Sequence, residues 1–191
     1  MQRPAQRRVR RALCDQRARQ RQIANGKGGG GVQLLCRRQH DGFCGAACHR
    51  GNGAGILLYN PDTRQFRFPV FLNGHDGFLI EAAAGLLDNA SPETRIVAEA
   101  EEEIGFRVIR VEKVFEAFMS PGSTTEKLCF FIAEYDERQR SGEGGGIEQE
   151  GEDIDVLELN FDQALRAIEQ GEIVDAKTIM LLQHLRLKGF L

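Results

Sequence analysis

The segment Ser91–Phe106, SPETRIVAEAEEEIGF, constrains this chain more than any other. Ser91 can accept a free amide of the first helical turn, and Pro92 fits at N1, where its missing N–H costs nothing. Gly105 suits the left-handed residue that ends a helix. Between them Ile96, Val97, Ala100 and Ile104 recur at helical spacing and predict the buried face. At about 100° per residue from Ile96, Glu99, Glu102 and Glu103 fall near about 300°, 240° and 340°, with Glu101 near about 140° on the other flank. Glu99 and Glu103 form a like-charge i,i+4 pair, which costs a helix roughly 0.2–0.5 kcal/mol. An acidic run most often marks a solvated helix face. Here an apolar strand ending in Ala82-Ala83-Ala84 and a loop from Gly85 to Asn89 precede it. Carboxylates at i, i+3 and i+4 behind a strand and a glycine loop point to a hard cation that bridges carboxylates to phosphate.

The rest of the chain from Arg50 supplies a scaffold for such a helix. Gly55–Asn60, Phe66–Leu72, Phe78–Gly85, Lys127–Tyr135 and Asp153–Leu159 read as strands, with Asn60-Pro61-Asp62 a turn and 73–77 a loop. Helices are predicted over roughly Phe161–Glu169 and Ala176–Lys188. Strands interleaved with helices imply an α/β or α+β domain with a mixed sheet. Cys129 alternates with apolar neighbours and is expected in the core. His75 and His184 read as loop and helix-surface residues rather than ligands.

The first fifty residues differ sharply. They carry eleven Arg and one Lys against Asp15 and Asp41, a net of +10; the remaining thirteen basic and twenty-six acidic residues give −13. Cys14, Cys36, Cys44 and Cys48 fall in this part, without the close CxxC pair of a zinc knuckle. Only Val32–Cys36 reads as a short strand. The domain boundary is therefore expected at 49/50: a basic, Gly/Cys/Arg-rich segment over 1–49, disordered or non-native, and a folded domain over 50–191. A basic arm for nucleic acid is the competing reading of the first part, and nucleic acid is not the expected partner. No apolar run approaches the ~18 residues of a membrane helix. Nor do the first thirty residues hold a signal-peptide core. A cytoplasmic protein is expected.

At the acidic helix the chain resembles the Nudix hydrolases. Glu99-Ala100-Glu101-Glu102-Glu103-Ile104-Gly105-Phe106 matches the second half of their signature, and Gly85 matches its opening glycine. Arg50–Asn60, Arg64–Arg67, Ala84–Asn89, Met119–Gly122 with Thr125-Glu126, Gly144–Gly146, Glu152–Leu159 and Gly171–Thr178 are similar, in order, to the GDP-mannose pyrophosphatase branch, which is close to the ADP-ribose pyrophosphatases. The resemblance implies a Nudix-type α/β/α sandwich with a mixed sheet and a loop-helix-loop box. It implies Mg²⁺-dependent (or Mn²⁺-dependent) hydrolysis of a nucleoside diphosphate-sugar to a nucleoside monophosphate and a sugar phosphate. It places Ala84, Glu99, Glu103 and Glu152 as metal ligands and Glu102, Glu103 and Glu152 as catalytic. Glu150 or Glu148 stand next in line after Glu152 as the loop carboxylate. Arg67, Gly85, Leu86, Glu126 and Lys177 are placed against the substrate. The branch also implies a homodimer, built on an N-terminal strand layer that 1–49 does not resemble.

Three departures stand out. The box arginine is Ala98, with Arg95 one turn before Glu99 as a partial replacement; the first box glutamate is Ser91; and Asn60 runs through Pro61-Asp62-Thr63 straight into Arg64–Arg67, without the family's intervening strand. Ala98 and the missing strand motivate an alternative reading, a Nudix-fold nucleotide-sugar-binding protein with weakened or lost catalysis.

Overall fold

The computed structural model describes residues 52–73, 77–121, 124–147 and 152–189. The basic segment 1–49, His75, Glu148 and Glu150 lie outside the described residues. The strands are β1 Gly53–Asn60, β2 Gln65–Asn73, β3 Gly77–Ile80, β4 Ala83–Leu86, β5 Glu112–Phe118, β6 Lys127–Glu134 and β7 Ile154–Asn160. The helices are α1 Pro92–Glu99, continued by one π turn over Ala100–Ile104, then α2 Phe161–Glu169 and α3 Ala176–Leu187.

All seven strands join one mixed sheet, ordered β3-β2-β1-β6-β5, with β4 on β1 and β7 on β2. β1 is its hinge. It pairs with β6 in parallel along one edge, while its other edge is shared: Gly53–Ile56 pair with β4 and Leu58–Asn60 with β2. The run from Asn60 into Gln65 is a tight hairpin. Asn60 Oδ1 accepts the Asp62 and Thr63 amides at 3.0 Å, and Arg64 takes φ 56.

Strand alternation sorts the side chains onto two faces. Leu57, Leu128, Phe130 and Ile132 pack with Ala164 and Ala167 of α2 and with Leu181, Leu182 and Leu185 of α3. Ile56, Leu58, Cys129, Phe131 and Ala133 pack with Ile96, Ala100 and Ile104 of the acidic helix. The sheet is thus sandwiched between α1 on one side and α2–α3 on the other, the expected α/β/α architecture, and Cys129 lies in the core as expected.

Three elements depart from the sequence reading. Phe78–Gly85 is not one strand. Glu81 and Ala82 break it, so that β3 continues β2's sheet edge while β4 crosses to β1. At the break the Ala82 amide donates to Thr178 Oγ1 at 2.6 Å instead of to a neighbouring strand. β5 was not foreseen, because its charged Glu112, Lys113 and Glu116 hide the alternation of an edge strand. The acidic helix closes in a π turn rather than an α turn.

Candidate active site

The caps of α1 form as read. Ser91 Oγ accepts the Thr94 amide at 3.2 Å, Pro92 opens the first turn, and Gly105 ends the π turn at φ 82. Burial of Ile96, Ala100 and Ile104 then fixes the rotation of the helix. That rotation carries Glu99 and Glu103 into the seam between α1 and the sheet, where they are 4% and 1% exposed. This is not the solvated face an acidic run usually makes. Glu102 stays half-buried beside them, and Glu101 turns outward to pair with Arg107 at 2.9 Å.

β4 brings the glycine loop against these acids. Gly85 abuts Glu99 so closely that a Cβ there would collide with the Glu99 carboxylate and stand 2.9 Å from Arg95 Nε. Ala84 reaches Glu103 through a backbone hydrogen bond. Arg95 Nη2 forms the anticipated i,i+4 ion pair with Glu99 Oε1. From the other side of the turn comes Glu152, whose Oε2 accepts the Ile147 amide at 2.9 Å.

The electrostatics follow from burying acids together. Burial pushes the Glu99 carboxyl up to about 7; Arg95 opposes the rise, while Glu102 and Glu152 add to it. Burial pushes Glu103 further, to about 9, helped by the charges of Glu99, Glu81 and Glu152 and opposed by the Ala84 hydrogen bond. Among the described residues, Glu103 Oε2 is buried without a hydrogen-bond partner. Among the described residues, no three His, Cys, Asp or Glu side chains lie together closely enough to hold a metal ion as they stand. The donor set nonetheless fits a hard divalent cation: it is all oxygen, mutually repelling, and includes a buried carboxylate oxygen that no described residue satisfies.

Glu81 belongs to this group and was missed in the sequence. Its charge acts on Glu103, and its Oε2 accepts Lys177 Nζ at 2.7 Å. The signal was there: it is the one charged side chain in the apolar run FLIEAAAG. Lys177 also donates to Asp175 Oδ1 at 2.8 Å. Burial works against its charge, but Glu81 and Asp175 hold the ammonium above its ordinary value. Its stem runs by Gly55, whose Cβ would lie 3.9 Å from both Lys177 Cδ and Ala84 Cβ. Among the described residues, Lys177 is thus linked to the glutamates only through Glu81, whose charge acts on Glu103.

Two expected substrate residues lie elsewhere. Arg67 is buried, with Nη2 2.7 Å from both Glu137 and Glu158, and its guanidinium lies 4.5 Å from the Phe106 ring and 5.1 Å from that of Tyr135. Glu126 sits just before β6, at the sheet end where Gly53 pairs with Leu86 and with Leu128. Leu86 is exposed there. His184 packs its ring 5.6 Å from Phe115, away from the acids.

No family model matches the chain. Its relatives are nevertheless close. It is 54% identical over 149 residues to the GDP-mannose pyrophosphatase of Cronobacter sakazakii, covering 74% of this chain and 77% of that protein. The enzyme of the same name from Pectobacterium atrosepticum is 51% identical over 168 residues, covering 84% and 82%. That from Escherichia coli K12 is 54% identical over 144 residues, covering 72% and 74%. Among solved structures, an ADP compounds hydrolase superposes with a TM-score of 0.57 at 18% identity, covering 73% of this chain and 76% of that one, a likeness of fold alone. With the capped glutamate helix, the glycine against it and this level of identity, the chain belongs to the GDP-mannose pyrophosphatase branch of the Nudix hydrolases.

Proposed function

We propose that this chain hydrolyses the diphosphate bond of GDP-mannose, releasing GMP and mannose 1-phosphate. The observation that carries this reading is the buried Glu99–Glu103 pair of α1, backed by Gly85 and met by Glu152 from the loop. The names of the relatives support GDP-mannose as the substrate. A divalent-metal requirement comes with the family, and we propose Mg²⁺, with Mn²⁺ as its substitute.

Glu99, Glu103 and Glu152 would hold the ion with the Ala84 carbonyl, and Glu102 would support them. A divalent cation held there would screen the diphosphate charge and lower the pKa of a water. The chain's own work is then mostly positioning, which supplies much of the catalysis in phosphoryl transfer. Glu152 would orient and deprotonate the water. Its Oε2 is engaged by Ile147, so the other oxygen would take the proton. Lys177 would add positive charge beside the phosphates, and the backbone at Gly85 and Leu86 would line the substrate. Arg67 would reach substrate by exchanging Glu137 or Glu158 for it, with Glu126 contacting the far end.

Purified protein should release GMP from GDP-mannose with Mg²⁺ and not with EDTA. No release from a panel including ADP-ribose would sink the enzyme reading. Binding of GDP-mannose without release would favour the weakened protein suggested by Ala98 and the missing strand after Asn60. We further propose a cytoplasmic homodimer, which sedimentation would test; among the described residues no helix is long and apolar enough to cross a membrane.

A further inference from the structure

We infer that the strap Gly144–Gly146 is a positioning element that seats Glu152 beside the glutamate turn of α1. The inference rests on the hydrolytic reading above.

The strap is tied at one end to the helix. Gly145 N donates to Glu103 O at 3.0 Å and Gly146 N to Glu102 O at 3.1 Å; just before them Ser141 N and Gly142 N donate to Gly105 O at 2.9 and 3.2 Å. The last carbonyls of a helix have no partner within it, so the strap serves as the C-terminal cap. It caps the very residues whose side chains are the buried or half-buried acids. At its other end Ile147 N donates to Glu152 Oε2 at 2.9 Å.

The fit requires glycine. Residues 144, 145 and 146 take φ +71, +114 and +78, where other residues are strained. A Cβ on Gly144 would stand 2.5 Å from Glu103 O, a backbone atom that cannot yield without lifting the strap. A Cβ on Gly146 would stand 2.5 Å from Glu152 Oε2 and 2.7 Å from Glu152 Cβ. A methyl group at 146 therefore pushes first on Glu152 and next on Ile154 Cδ1, 2.9 Å away. Gly146 is a positioning residue acting through Glu152.

The test is a double-mutant cycle in the full chain between Gly146→Ala and Glu152→Gln, with Gly146→Asn as a second variant because asparagine tolerates left-handed backbone. Gly189→Ala is the control for backbone strain alone, since Gly189 has φ +65 and nothing within 4 Å of its Cβ position. Expected are a ~10–100-fold loss of kcat in both Gly146 variants with KM nearly unchanged, and no further loss when Gly146→Ala is added to Glu152→Gln. Mn²⁺ affinity, titrated by electron paramagnetic resonance without substrate, should fall by the same factor in Gly146→Ala as in Glu152→Gln. Unchanged kcat in both Gly146 variants, or losses that multiply in the double mutant, would overturn the inference. A wild-type chain without turnover would refute the hydrolytic reading instead, and the Mn²⁺ titration would still decide the role of the strap.

Discussion

Arg95→Ala tests how this chain manages without an arginine at position 98. Arg95 is 30% exposed and pairs with Glu99, whose side chain is 5% exposed. As a helix pair it contributes only about 0.3–0.5 kcal/mol to stability, roughly a factor of two in an equilibrium constant. Its effect on Glu99 is larger in consequence. Glu99 already sits at about 7 with Arg95 opposing the rise, so near neutral pH its charge is finely balanced. Removing Arg95 drives the carboxyl toward its neutral form and frees its orientation, and both weaken a metal ligand. Losses of supporting partners around metal ligands typically cost 10–100-fold. Arg95→Ala, Ala98→Arg and the double variant should therefore be compared by initial rates of GMP release against Mg²⁺ concentration at pH 7, with thermal melts alongside. The expected result is a ~10–100-fold loss in Arg95→Ala at low Mg²⁺, with Tm moved by no more than about 2–3 °C, and recovery when Ala98→Arg is added. An unchanged rate and Mg²⁺ dependence in Arg95→Ala would refute the reasoning. A large gain from Ala98→Arg in the wild-type background would show a weakened member of the family.

Other outcomes follow from the same geometry. Glu103→Gln should lose ~10²-fold or more in turnover, because it removes a metal charge while keeping the shape; near-normal kcat would show that Glu103 holds no metal. Stability without metal should be greatest at mildly acid pH. The folded-state values of Glu99 and Glu103, about 7 and about 9, lie above the ordinary 4.5, so the folded chain binds more protons than the unfolded one between those limits. Stability should then fall as pH rises from about 4.5 through 7 toward 9, and Mg²⁺ should restore most at the alkaline end; melts that rise with pH in EDTA would contradict this. A 50–191 fragment should fold with the Tm of the full chain, and its failure to fold would show that 1–49 completes the structure.

The sequence by itself determined what is local. Ser91, Pro92 and Gly105 set the ends of the acidic helix, and Ile96, Ala100 and Ile104 its buried stripe. The four-residue spacing of Arg95 and Glu99 makes an ion pair in any helix, whatever surrounds it. Apolar, strand-forming runs between turn signals marked most strands, and strand alternation then gives the two-faced sheet between helices. What alternation could not reveal is which edge each strand joins. Phe78–Gly85 reads as one apolar run, and only the competition of β1 and β2 for its two halves splits it at Glu81. The site was read incompletely for the same reason. Glu81 meets Lys177 across 96 positions of chain, and no local pattern encodes such a meeting. The resemblance placed Arg67 against the substrate, and tertiary packing gave it Glu137, Glu158 and two aromatic rings. Gly144–Gly146 entered only as a segment similar to the branch, because glycine alone does not say what will lie against it. Folding decided that it would be the carbonyls of Glu102 and Glu103 and the carboxylate of Glu152. Such contacts are fixed by the shape of the assembled core, and that shape exists only once sheet and helices have packed together.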